Sequence, residues 1–361
     1  MKHTKRWMAA ALALAVLFGA LCPCPVQAAD ALLGNDFCNM CCDGSVLYEG
    51  RIYIECGGIV YSTDRQGKDR EKLFDANKAA GLKEKNGFDR FEIYDGFIYG
   101  IMDFYGGTGG SDKRLVKMDL DGKHVEELAY AGSLAIADGV IYFVKHKQTG
   151  DGEYKVLGLY CMDTDGEQEE ALLKGDVELY GCDGRRLYYG VRNKVKTKSG
   201  YAGSNGTTVC SADLSLSSKS KKTLAKACSS NMGENYQVIA IGGGYVYYTV
   251  YSYSAASYKL VKYNSKTKAK KELCKGKYDK QVGSGIIRGK YMYCGTNYGV
   301  CKVNLSTGNI KYLNHDPHCI IYGLHGGVIV YSMTKSSGSS EVKTMTTAGK
   351  ACTTIGKFFV S

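Results

Sequence analysis

Ala137-Asp138-Gly139-Val140-Ile141-Tyr142-Phe143, followed by Leu159-Tyr160-Cys161-Met162-Asp163-Thr164-Asp165-Gly166, decides the fold. Asp-Gly ahead of an apolar, β-branched and aromatic run marks a tight hairpin. A type I′ turn needs positive φ at both central residues, and glycine accepts that without steric cost. Val140 through Phe143 carry stiff or flat side chains that pack on a pleated surface. Asp163-Thr164-Asp165-Gly166 repeats the turn chemistry one hairpin later. The unit is a small antiparallel sheet of four short strands. Alone it cannot bury both faces, so it must stack on a neighbour.

The first turn recurs at Gly50, Gly96, Gly139, Gly184, Gly244, Gly289 and Gly327, at spacings of 46, 43, 45, 60, 45 and 38 residues. The strand before the second turn recurs as Leu115–Asp119, Leu159–Asp163, Val209–Asp213, Leu260–Asn264 and Val300–Asn304, with a worn copy at Val342–Thr346. Seven units of about 40–45 residues predict an all-β chain, a β-propeller of about seven four-stranded antiparallel blades. Radial closure leaves only short strand edges. A β-sandwich array, the rival, offers no reason for seven equal units. The expected organisation is a signal peptide over 1–29, a lead-in over 30–44 and a single propeller domain over 45–361. Phe358-Phe359-Val360 stands where an eighth inner strand would begin, so one way to close the ring is a C-terminal contribution to blade 1.

The pattern Asp-Gly-x-Ile-Tyr followed by Leu-x-x-Met-Asp-x-Asp-Gly resembles bacterial secreted propellers of the DUF5050 type. Those are described as similar to the β-propeller of the low-density-lipoprotein-receptor-related proteins. The resemblance covers roughly residues 44–356. The receptor signature Tyr-Trp-Thr-Asp is echoed once, in Tyr61-Ser62-Thr63-Asp64, with the Trp replaced. The resemblance implies a propeller and export, and it carries no catalytic residues to transfer.

Lys2, Lys5 and Arg6 form a basic start, Met8 through Leu21 an apolar core, and Val26-Gln27-Ala28 a small-residue cleavage site. This is a secretory leader, cut after Ala28 or Ala29. Its core is short for a membrane span, and Leu21 before Cys22 is a poor lipoprotein box. A secreted monomer, extracellular or held at the cell envelope, without a transmembrane segment, is expected.

Charge is uneven. The formal net charge is +11, and removing Lys2, Lys5 and Arg6 leaves +8. Residues 191–280 hold 17 Lys/Arg against 4 Asp/Glu, whereas residues 151–180 hold 2 Lys against 9 Asp/Glu. Lysine runs at 219–222 and 266–271 are expected on outer strands, where they block strand addition. They also suit an anionic glycan or cell-wall polymer as partner. Nucleic acid is not expected of an exported chain that carries no nucleic-acid-binding motif.

In a four-stranded meander, the loop between strands two and three emerges on the same face as the connection to the next blade. Here those loops vary, while the turns opposite are short. A rigid scaffold with one variable face is a common way to display a binding site. Loops 103–112, 194–207, 251–258 and 314–318 therefore supply the candidate ligand-binding residues Tyr105, Tyr201, Tyr251, Tyr253, Tyr258, His315, Asp316 and His318. Tyrosine gives broad amphipathic contact at low entropic cost. The plainer alternative is that these loops are spacers and their tyrosines pack between blades.

Other chemistry is thin. His315-Asp316-Pro317-His318 lacks a visible third metal ligand. Asp119-Leu120-Asp121-Gly122 and Asp163-Thr164-Asp165-Gly166 lack the further oxygens of a calcium loop. Thirteen cysteines follow the leader, and Cys161, Cys210 and Cys301 read as small buried hydrophobes at equivalent repeat positions. Cys294 and Cys301, flanking a short hairpin, are the disulfide candidate, while Cys38-Asn39-Met40-Cys41-Cys42 has zinc-like spacing without a second pair. No Gly-x-Ser-x-Gly, His-Glu-x-x-His, phosphate loop or cofactor motif occurs. The chain thus reads as a non-catalytic extracellular binding module for a protein, glycan or cell-envelope polymer, with no cofactor. The alternatives are a glycan-acting propeller enzyme, with Asp103, Asp112 and Asp316 as its few loop carboxylates, and a structural scaffold.

Overall fold

Asp138 and Gly139 adopt φ of 50° and 75°, the left-handed pair that a type I′ hairpin requires, and the turns at Glu49-Gly50, Asp95-Gly96, Gly243-Gly244 and Gly326-Gly327 do the same. The second turn is equally local. Asp163 Oδ1 accepts from the backbone N–H of Asp165 and Glu167, and Asp64, Asp213, Asn264 and Asn304 serve their own turns alike. Hydrogen bonds of this kind hold the half-buried Asp213 carboxyl down to about 2, the Ser217 hydroxyl being the largest cause. The calcium-like look of Asp163 is therefore turn chemistry.

The computed structural model describes residues 37–39, 44–82, 87–104, 112–149, 154–194, 204–226, 234–252, 255–277, 282–350 and 352–359. After a short β1 (Phe37–Asn39), blade 1 comprises β2 (Ser45–Tyr48), β3 (Arg51–Cys56), β4 (Ile59–Asp64) and β5 (Glu71–Asp75), with α1 (Ala76–Ala79) following. Blade 2 is β6 (Phe88–Tyr94), β7 (Phe97–Asp103), β8 (Lys113–Asp119) and the first half of β9 (Glu126–Ala137). The rest of β9 opens blade 3, with β10 (Val140–Gln148), β11 (Tyr154–Asp163) and β12 (Glu170–Lys174), so these two blades share one continuous strand. Blade 4 is β13 (Val177–Cys182), β14 (Arg186–Lys194), β15 (Ser204–Asp213) and β16 (Lys222–Lys226). Blade 5 is β17 (Glu234–Gly242), β18 (Tyr245–Ser252), β19 (Ser257–Asn264) and β20 (Lys270–Lys277). Blade 6 is β21 (Ser284–Arg288), β22 (Tyr291–Thr296), β23 (Gly299–Asn304) and β24 (Ile310–Tyr312). Blade 7 is β25 (Cys319–His325), β26 (Val328–Thr334), β27 (Ser339–Thr346) and β28 (Thr353–Phe359). All pairings are between antiparallel neighbours in chain order, except that β1 pairs with β17.

The core is divided by interface. Each blade shares a cluster of buried apolar side chains with the next. Tyr99, Ile101 and Phe143 lie between blades 2 and 3, for example, and Leu179, Leu187 and Leu159 between 3 and 4. The interface between blades 7 and 1 is of the same kind, with Ile52, Ile54, Val330, Val342 and Ile355 fully buried. Burying a Val, Leu or Ile side chain stabilises by about 1.5–3 kcal/mol, so stacking supplies what a single sheet lacks. Among the described residues, closure uses no exchanged strand. Phe358 lies in β28, the outermost strand of blade 7, and packs over Gly57 of blade 1. Of the ways to close the ring that the sequence left open, a C-terminal inner strand in blade 1 is not the one seen among the described residues. Arg70 of blade 1 also donates to the Ile355 carbonyl at 2.7 Å across the same seam.

Candidate functional site

The loop face carries the β3–β4, β7–β8 and equivalent loops together with the blade-to-blade connectors. Tyr105, Tyr201 and Tyr253 lie outside the described residues. Tyr251 and Tyr258 are directly opposite each other on β18 and β19. Both are buried, at 4% and 3% exposure, among Ile239, Leu260, Val282 and Leu305 between blades 5 and 6. The Tyr251 hydroxyl accepts from Thr249 at 2.7 Å and reaches Gln237 Oε1 at 3.0 Å. These two rings are corrected from ligand contacts to packing residues, because the pleat turns them into the inter-blade core. The alternation of Tyr251-Ser252-Tyr253 alone cannot say which side is covered.

The connector from blade 6 to blade 7 is the part of the face where candidate residues meet. Asp316 Oδ2 accepts from Tyr331 Oη at 2.8 Å, Lys343 Nζ at 3.1 Å and Asn314 Nδ2 at 3.2 Å. Tyr331 comes from β26 and Lys343 from β27, whose residues 331 and 343 are register partners. The Tyr331 hydroxyl also contacts Cys352 Sγ at 3.2 Å. Burial first, then its hydrogen bonds with Cys352 and Asp316, push its ionisation far up, so the phenol stays protonated. Burial of the Lys343 ammonium opposes its charge, but Asp316 outweighs that and holds its pKa above the ordinary value. Two residues along β27, the nearly buried Glu341 takes Lys335 at 2.8 Å, Lys357 at 3.4 Å and Lys343 at 3.6 Å. The Lys335 hydrogen bond is the chief reason its carboxyl lies below the ordinary range.

His315 and His318 flank this cluster without joining it. His315 is exposed and stacks on Tyr312 with ring centroids 5.5 Å apart. His318 Nδ1 meets Asn297 Oδ1 at 3.1 Å. Apart from Asn314 of its own connector, the Asp316 carboxylate therefore takes its hydrogen bonds from blade 7. What the cluster offers a ligand is charge at its rim, the ammonium groups of Lys335 and Lys357.

A second locus, between blades 1 and 2, was not foreseen. Glu55 is 8% exposed and accepts from the Gly58 N–H. The Gly58 carbonyl takes Ala76 N–H at the start of α1, and Asn77 Oδ1 takes Gly87 N–H at 2.9 Å, so the carboxyl sits beneath a tied connector. Burial raises its pKa to about 7, with Asp89 adding to the rise and the Gly58 hydrogen bond opposing it. Within Arg51-Ile52-Tyr53-Ile54-Glu55-Cys56, one acid in an otherwise apolar inner run was the available signal.

The remaining candidates have structural places. Asp103 Oδ1 caps its loop by accepting from Asp112 N–H at 2.8 Å, and Asp112 pairs with Arg114. Cys294 and Cys301 are register partners on β22 and β23, buried, and both are free thiols here. Burial lifts Cys56 and Cys182 to about 12 and Cys274 to about 11, so these thiols behave as small apolar groups. Among the described residues no helix is long and apolar enough to cross a membrane.

No family model matches the chain, and no curated protein matches it. Solved structures do. A structure from a study of two prolyl endopeptidases aligns at TM-score 0.58 and 13% identity, covering 97% of this chain and 54% of that one. Prolyl oligopeptidase B from Galerina marginata aligns at TM-score 0.56 and 11% identity, covering 91% and 53%. Oligopeptidase B from Leishmania major aligns at TM-score 0.55 and 10% identity, covering 88% and 49%. This chain thus spans about half the length of the solved chains it resembles. These likenesses show the fold, a β-propeller. They also correct the expectation that the chain is not an enzyme. The propellers it resembles belong to peptidases, so the lack of a familiar catalytic motif is no ground for setting catalysis aside.

Proposed function

We propose that this chain is an exported β-propeller that binds an anionic glycan or cell-wall polymer. The observation that carries this reading is the placement of its lysines. Lys219, Lys221, Lys222 and Lys226 of blade 4 and Lys266, Lys268, Lys270, Lys271, Lys275 and Lys277 of blade 5 are exposed on or beside the outermost strands of adjacent blades. Within this group Lys275 lies 3.9 Å from Glu272, which is also 3.8 Å from Lys259 of the neighbouring strand. Exposed cations spaced along strand edges make a continuous positive field, which suits a flexible polyanion better than a small ligand. The leader-like residues 1–29 and the likeness of the repeat to DUF5050-type propellers support export.

The test is binding of the full chain to immobilised polyanions at low and high salt, with wild type compared with Lys270→Gln/Lys271→Gln/Lys275→Gln/Lys277→Gln. Binding that is lost at high salt and in the variant supports the reading. Binding that neither changes sinks it. A second reading, a protein partner on the loop face, is favoured by the exposed His315 and His318 on the connector between blades 6 and 7. It predicts salt-resistant binding that is weakened by His315→Ala.

A further inference from the structure

β1 is out of sequence order. Phe37, Cys38 and Asn39 pair antiparallel with Gly242, Ile241 and Ala240, the end of β17. β17 is the innermost strand of blade 5, so its free edge faces the central channel. Blade 1 begins at Ser45, and its neighbours in the ring are blades 7 and 2. β1 therefore lies across the ring from the blade that follows it in sequence.

The seam it occupies differs from the others. At six of the seven seams the inner strands of adjacent blades pack against each other. Between β13 and β17 that approach is weak, and β1 lies against both, and against β21 of blade 6 as well. Blades 4 and 5 still share a buried cluster that includes Tyr180 of β13 and Ile241 of β17, with Tyr188 and Val246 of the next strands out. β17 carries a bulge at Val238–Ala240, as the innermost strands β6, β13 and β25 do in their own blades. Bulges bend a strand and increase its local twist. The channel-facing edge of an innermost strand has no further blade strand to pair with, and on β17 Phe37–Asn39 takes that edge. Such an edge is a template for another strand.

We infer that the channel-facing edge of β17 is a strand-docking site for an extended polypeptide, held in this chain by its own Phe37–Asn39. Recognition there is by main-chain hydrogen bonds, so the site tolerates many sequences in an extended conformation and excludes helices. Phe37–Asn39 is the resident competitor: a foreign peptide enters only when this segment leaves. The proposal is independent of the lysine-rich rim, which lies on the outermost strands.

The test uses the full chain. Phe37→Pro/Cys38→Pro removes the amide donors of two adjacent residues, one of which must face β17 because strand amides alternate in direction, and fixes φ at both, so the segment can no longer hold its ladder. Hydrogen–deuterium exchange over residues 238–242 and binding of a labelled peptide carrying residues 34–42, under reducing conditions, are measured for wild type and variant. The expected result is that wild type protects 240–242 and rejects the peptide. The variant exchanges there about tenfold faster, the scale of one lost hydrogen bond. It also binds the peptide and regains protection when the peptide is added. Equal exchange in the two proteins, or a folded variant that binds no peptide, overturns the proposal. If the variant does not fold, wild type decides alone: channel-edge amides of 240–242 that exchange as fast as those of β13 overturn it.

Discussion

Tyr331 donates its hydroxyl hydrogen to Asp316 across 2.8 Å from a ring with no exposed surface. The same carboxylate takes Lys343, so one acid on the connector ties blade 6 to two strands of blade 7. Removing the acid is expected to cost more than removing the phenol. Tyr331→Phe loses one hydrogen bond, about 1 kcal/mol. Asp316→Ala leaves the largely buried Lys343 without its closest counter-charge and should cost about 3 kcal/mol. Urea unfolding of the two variants measures both, and the reverse order would mean that the connector is held by other contacts.

Glu55 should make stability fall as pH rises. Its folded carboxyl keeps a proton up to about 7, while the unfolded group releases it near the ordinary value of 4.5. Between these values the folded state binds more protons. The contribution is complete below about 4.5 and is lost through about 7, on the order of 3 kcal/mol in all. Glu55→Gln should remove this slope and be the more stable protein at alkaline pH. Thermal melts across that range test it, and parallel curves for the two proteins would count against a buried acid.

His325 should act in the opposite sense. Its Nε2 meets Ser45 Oγ at 2.9 Å across the seam between blades 7 and 1, and burial lowers its pKa from 6.5 to about 4. The folded ring stays neutral where the unfolded one is protonated. Stability from this group is present above about 6.5 and is lost as pH falls towards about 4. His325→Gln should flatten the acid side of the melting profile while leaving the Glu55 slope in place.

Tyr258→Ala is expected to destabilise by about 3–5 kcal/mol, as other large-to-small core changes do, because the ring is buried between blades 5 and 6. Tyr251→Phe should cost about 1 kcal/mol through its lost hydroxyl contacts. If either variant instead melts like wild type, the ring packs less closely than its burial indicates.

Cys294 and Cys301 face each other across β22 and β23. In an oxidising compartment this pair should close, and peptide mapping without reductant should then recover the two hairpin strands linked. Recovery of both thiols alkylated from exported material would rule the bridge out.

Much of the fold was legible because it is local. The hairpin at Asp138-Gly139 needs positive φ at adjacent residues, and the Asp163 turn is closed by amides two and four positions away, so both are written in short stretches. Seven such units, and the need of each sheet for a covered face, lead to a propeller. The lysine runs at 219–222 and 266–271 were likewise placed on or beside outer strands by their position in the unit. The site was far less legible. Whether Tyr251 faces solvent or blade 6, what Asp316 holds, how high burial lifts Glu55 and where Phe37–Asn39 docks all depend on partners distant in sequence. Asp316 and Lys343 are 27 residues apart, and Cys38 meets Ile241 from the other end of the ring. The sequence by itself determined the repeating unit, the number of blades and the charge along their rims, because short-range turn geometry and strand periodicity act within each copy. Tertiary structure alone decided which side chains are covered, how blades 7 and 1 meet, and which edge the N-terminal segment occupies, because each is a choice among surfaces that exist only once the blades have stacked.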